Sequence, residues 1–95
     1  MKVKGSLVKK LQIVKGKKGN KNWIKQEFLI NTGNEYTPEI CIQLFGQDKV
    51  DLLKPFEAGQ EIEVSINVHS KHYRGRYYHS VDGWKIEEVE YKTTN

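Results

Sequence analysis

Ninety-five residues, 37% hydrophobic and 29% charged, suffice to close one core and are too few for two, so a single domain over residues 1–90 with a short frayed tail at 91–95 is expected. No apolar run approaches the ~20 residues that cross a bilayer, Met1-Lys2-Val3-Lys4 opens no secretory leader, and the lone Cys41 forms no internal disulfide; the chain reads as cytoplasmic, without membrane contact. The net charge of +4 is uneven: residues 1–25 hold nine lysines and no acid, residues 26–67 eight acids against Lys49 and Lys54, and residues 68–95 five bases against four acids. One positive surface suited to a polyanion follows, although a solvated lysine face accounts for the charge by itself equally well.

Val3, Gly5, Leu7, Leu11 and Ile13 share one parity and Lys2, Lys4, Lys10 and Gln12 the other, which predicts a long first strand over residues 2–15, with Gly5 at a bulge or bend. Gly16 to Lys21 reads as a lysine loop, and its glycine spacing is not that of a phosphate-binding Walker loop. Trp23 to Asn31 alternates again, with Ile24, Phe28 and Ile30 inward and Trp23, Lys25 and Glu27 outward. After a turn at residues 31–35, Ile40, Ile42 and Leu44 mark the inward face of a third strand and leave Cys41, Gln43 and Phe45 outward.

Gly46-Gln47-Asp48 reads as a helix start with Asp48 as N-cap, and Val50, Leu52 and Leu53 give at most two turns before Pro55. Glu61 to Val68 alternates cleanly, with Ile62, Val64, Ile66 and Val68 inward. A fifth strand runs from about Tyr77 to Val89, its parity shifted by a bulge near Asp82-Gly83. Trp84 shares parity with Ile86 and is assigned to the core, as are Phe28 and Phe56. Three strands, a short helix, then two strands joined by a long hairpin is the order of an all-β, five-stranded Greek-key barrel, the OB-fold, with one short helix between strands 3 and 4.

On that barrel the unexplained residues converge on the oligonucleotide-binding face. Between strands 4 and 5, His69 to Trp84 interleaves aromatic and basic residues, and Trp23 and Phe45 put large rings on the polar face of strands 2 and 3. A single strand is held by cations along its backbone and rings under its bases. Trp23, Phe45, Tyr73, Tyr77 and Tyr78 are the candidate platforms, and Lys15, Lys17, Lys18, Lys21, Lys25, Lys71, Arg74 and Arg76 the candidate phosphate partners. The tyrosines serve equally as cross-strand pairs that stabilise a hairpin, and Phe45 as the anchor of a subunit interface. His69, His72 and His79 lack the cysteine or carboxylate pair that would complete a metal site, and Ser6, Ser65, Ser70 and Ser80 lack an acid-base relay. Neither metal, cofactor nor catalysis is expected.

The runs Asn22-Trp23-Ile24-Lys25-Gln26-Glu27-Phe28, Gln43-Leu44-Phe45-Gly46 and Tyr73-Arg74-Gly75-Arg76-Tyr77-Tyr78, followed by Trp84, resemble a family of small bacterial and phage OB-fold domains related to single-stranded DNA-binding proteins. The resemblance covers roughly Val3 to Val89. It implies single-stranded DNA binding in replication, recombination or repair, by a homo-oligomer. The better-known members carry a tail with an acidic tip that recruits partners, whereas this sequence stops at Glu90-Tyr-Lys-Thr-Thr-Asn95, so recruitment of replication or recombination proteins through such a tip is not expected. A protein-interaction or oligomerisation module, or an RNA or oligosaccharide binder on the same barrel, are the alternatives.

Overall fold

Apolar residues that alternate with polar ones have one face to bury, and this chain buries it by curling a sheet onto itself. The computed structural model describes residues 1–36 and 38–89. In order they form β1 (Lys2–Lys10), β2 (Val14–Lys18), β3 (Lys21–Asn31), β4 (Glu39–Phe45), α1 (Gln47–Asp51), β5 (Glu61–Tyr73) and β6 (Arg76–Glu88). The expected tail at 91–95 lies outside the described residues.

Five of the strands close a ring. β1 pairs with β5 through Lys2–Ser6 and with β3 through Ser6–Lys10, so one bent strand joins both sides of the sheet. Gly5 sits at the crossing, where any Cβ would collide with the Asn31 carbonyl, and the β1–β3 register then slips between Leu7 and Lys9. β3 pairs with β4, β5 with β6, and a parallel contact at Gln43 and Asp82 links β4 to β6. This is the all-β OB barrel expected from the element order. Its interior holds Leu7, Phe28, Ile30, Ile42, Leu44, Ile62, Val64, Ile66 and Ile86, with Val50 of α1 and Leu53 just after it joining the same cluster. Among the described residues no buried side-chain nitrogen or oxygen lacks a hydrogen-bond partner, and no helix is long and apolar enough to cross a membrane.

The structure corrects several expectations. The first strand does not run to residue 15: it breaks over residues 11–13, where the Leu11 amide donates to the Glu27 carbonyl and Gln26 Nε2 donates to the Leu11 carbonyl. The lysine segment is not a loop but strand β2 and a two-residue turn at Gly19-Asn20, because its backbone pairs fully with β3 from Val14↔Lys25 to Lys18↔Lys21. Asp48 is not the N-cap: Gly46, at φ 100°, ends β4 and starts the helix, and Asp48 lies in the first turn with its carboxylate on Lys49 Nζ at 3.2 Å. Val68 is exposed, since β5 runs on past the barrel to Tyr73. Phe56 packs only against the rim of the core.

The projecting parts of β5 and β6 form one hairpin finger, closed by Arg74 and Gly75. Both have positive φ, 50° and 76°, the signature of a type I′ turn whose twist matches that of the strands. The finger and the β2–β3 hairpin lengthen the molecule to 57 × 30 × 20 Å.

Candidate nucleic-acid interface

Residues opposite each other across an antiparallel ladder share a face, and successive residues alternate. Because Phe28 and Ile30 point inward, Trp23, Lys25 and Glu27 of β3 point outward, together with Phe45 and Gln43 of β4, which stand opposite Lys25 and Glu27. On β2 the same face carries Gly16, opposite Trp23, and Lys18, opposite Lys21. Lys15 and Lys17 stand on the reverse face, opposite Ile24 and Asn22.

The Trp23 and Phe45 rings lie nearly parallel, 19° apart in orientation with centroids separated by 6.4 Å. Phe45 remains 56% exposed. Gly16 makes this platform: a Cβ there would run into the Trp23 indole, so the glycine that reads as a loop residue is the strand position over which the ring lies flat. Two open depressions border the rings. One of about 540 Å³ is lined by Lys15, Gly16, Asn22, Trp23, Ile24, Phe45, Gly46 and Gln47, and one of about 320 Å³ by Lys18, Trp23, Lys25, Gln43 and Phe45. Among the described residues Lys15, Lys17, Lys18, Lys21 and Lys25 form no ion pair, whereas Lys2 and Lys4 are engaged by Glu63 at 3.3 and 3.5 Å. Of these five, Lys18, Lys21 and Lys25 share the platform's face; Lys9 and Lys10 of β1 likewise form no ion pair among the described residues.

The finger divides the remaining candidates. Tyr73 and Arg76 stand opposite each other, and Tyr78, two residues from Arg76, shares their face, with the Lys71 backbone opposite it. That face is continuous with Asp82 at the β4–β6 contact and so with Gln43. Tyr77 is on the other face, where its ring stacks on His72 with centroids 4.8 Å apart. Arg74, at the turn, places its guanidinium carbon 5.3 Å from the Tyr73 ring centroid. The structure thus brings Trp23, Phe45, Lys18, Lys21, Lys25, Tyr73, Arg76 and Tyr78 onto one surface and turns Lys17 and Tyr77 away from it, while Lys15, on the reverse face of β2, still lines the larger depression beside the rings.

Asp82 ties the finger to the barrel, a role with no signature in the sequence. Its Oδ1 accepts from Gln43 Nε2 at 3.2 Å and Ser80 Oγ at 3.1 Å, and its Oδ2 is 3.2 Å from His69 Nε2. His79 Nδ1 and Ser70 Oγ are hydrogen-bonded at 2.9 Å, so each histidine of the finger has its own partner.

Beside the platform, the Cys41 thiol donates to Glu27 Oε2 at 3.3 Å. Burial, then the hydrogen bond to this carboxylate and its charge, push the thiol from 9.0 up to about 11. Only about one thiol in a thousand is then ionised at pH 8, and alkylation by iodoacetamide is expected to run at least about tenfold slower than for a free cysteine, to climb with pH through 10, and to speed up in Glu27→Gln. A rate equal to that of free cysteine at pH 8 would contradict this contact.

Compared with known proteins, residues 2–87 match the family described as "Domain of unknown function (DUF3127)". No curated protein matches the sequence. Among solved structures the chain is similar to Rim1, a mitochondrial single-stranded DNA binding protein from S. cerevisiae, with a TM-score of 0.71 at 15% identity over 95% of this chain and 94% of that one. At that identity the likeness establishes the OB fold. A small single-stranded DNA-binding protein from Streptomyces coelicolor gives a TM-score of 0.48 at 13% identity, over 94% of this chain and 92% of that one, and no argument rests on it.

Proposed function

We propose, for a chain that belongs to the DUF3127 family and folds as an OB barrel, that it binds single-stranded DNA with little regard to base sequence. The observation that carries this reading is the Trp23–Phe45 platform on the outer face of the sheet, with Phe45 exposed, bordered by Lys18 and Lys25, which form no ion pair among the described residues. Exposed Phe45 and half-buried Trp23 on its Gly16 seat offer ring faces that suit flat bases of any sequence, and ammonium groups beside them suit phosphates. The finger adds a second contact region through Tyr73, Arg76 and Tyr78. The resemblance to a single-stranded DNA-binding protein in fold supports the same reading. Assembly into a homo-oligomer and a place in replication, recombination or repair extend it.

Four cations, Lys18, Lys21, Lys25 and Arg76, share the proposed surface. If each meets one phosphate of a single strand, log affinity for oligo-dT falls with log salt at a slope of about −3, and Lys18→Ala with Lys21→Ala flattens it by about 1.4. Lys17→Ala, on the reverse face of β2, leaves the slope unchanged. Fluorescence titration over a range of salt concentrations measures it; no binding at low salt would sink the reading, and equal flattening by Lys17→Ala would move the path to the other face.

A further inference from the structure

Trp84 is an indole that neither the core nor the platform uses. Counting back by twos from buried Ile86 puts it inside the barrel, yet it is 47% exposed. The cause is a β-bulge: Ser65 of β5 faces Lys85 and the next residue, Ile66, faces Gly83, so Trp84 is the extra residue of β6 and is turned outward. The inward position falls to Gly83, where even a Cβ would come within 3.1 Å of Ile42 and Leu44 and 3.3 Å of Val64. No indole fits there. The bulge therefore does two things at once: it packs a glycine against the core and presents a large ring on the outer surface.

Where that ring stands follows from the ladder. β6 runs parallel to β4 with Asp82 beside Gln43, and past that pairing, in the same direction along the two strands, come outward Phe45 on β4 and the bulged, outward Trp84 on β6. β3 follows on the far side of β4, and its Trp23 stacks with Phe45. Three neighbouring strands thus each carry one large ring on the outer surface, Trp23, Phe45 and Trp84. The cation next to the last of them is already engaged, Lys85 Nζ lying 3.0 Å from Glu87, so this part of the surface offers a ring rather than a charge.

We propose that Trp84 is a third base-stacking platform that extends the stacking surface from β3 and β4 to β6, an inference that rests on the single-stranded DNA reading. One base at this ring would carry the strand across the sheet toward the finger. The outward indole could instead cover a second copy of the chain, and the experiment separates the two.

The chain has two tryptophans, so in Trp23→Phe all indole emission comes from Trp84. This variant keeps an aromatic ring at position 23 and leaves Trp84 itself untouched. Titrated with labelled oligo-dT at low salt, with anisotropy reporting complex formation, Trp84 emission is expected to fall by about half or more as the complex forms. In the otherwise native chain, Trp84→Ala is expected to weaken binding about tenfold with the salt slope unchanged, and Trp84→Phe to recover most of that loss. Complex formation without a change in Trp84 emission would overturn the proposal while leaving the DNA reading in place. So would emission that shifts on protein dilution without DNA, which would assign the ring to contacts between copies. Absence of oligo-dT binding by the unmodified protein would overturn the DNA reading and this proposal with it.

Discussion

Replacing Trp23 and Phe45 together by alanine is expected to weaken oligo-dT binding at least about a hundredfold at low salt, since each base stacked on a ring contributes roughly 1–3 kcal/mol. The salt dependence should stay as it is, because no cation is removed. The fold should survive: Phe45 is 56% exposed and neither ring belongs to the buried cluster. Gly16 gives an independent check. A valine there would displace the indole by steric conflict and is expected to reproduce most of the loss attributable to Trp23. A double alanine variant that binds within threefold of the native chain would remove the platform from the site.

Phe28→Ala should have the opposite profile. Phe28 is fully buried, stands opposite Ile42 on β4, and is the largest side chain among those fully buried. Truncating such a ring leaves a cavity that its neighbours fill only in part, a loss of about 3–5 kcal/mol. Domains of this size hold about 5–15 kcal/mol in all, so the melting temperature should fall by about 15–30 °C in a thermal circular-dichroism scan. Phe45→Ala, one strand away and facing outward, should move it by only a few degrees. A shift below about 5 °C for Phe28→Ala would mean that the barrel interior is not packed as described.

These two substitutions mark the line between what the sequence makes legible and what it does not. Inward residues are legible because burial imposes a period of two over whole strands: Ile24, Phe28 and Ile30, then Ile40, Ile42 and Leu44, then Ile62, Val64 and Ile66 declare their face without a structure. The position of the helix between the third and fourth barrel strands follows from Gly46 and Pro55. What fails is parity wherever nothing is buried. In VKGKK the lysines carry no apolar phase, so Lys17 and Lys18 look equivalent although they lie on opposite faces of β2. The neighbours Tyr77 and Tyr78 are divided in the same way, because the finger stands clear of the core that would set its phase. A bulge defeats parity outright: near Asp82-Gly83 a shift is visible, but which residue is extra depends on the room inside, and there Gly83 fits where Trp84 does not. Gly16 illustrates a third limit. Its partner ring is seven residues away in the chain, and only the register brings them together.

The carboxylate that joins finger to barrel also shapes the charge of the whole outer surface. Lys18, Lys21 and Lys25 lie at one end and Arg76 and Arg74 at the other, and between them stand Glu27, opposite Gln43, and Asp82, beside it. The surface has two positive ends and a negative waist. A stiff double helix laid along it would hold its evenly spaced phosphates against the waist as firmly as against the ends. If the chain binds single-stranded DNA as proposed, the strand can bow its backbone outward at the middle and turn its bases down onto the rings, so Asp82 and Glu27 would disfavour duplex by repulsion rather than by shape.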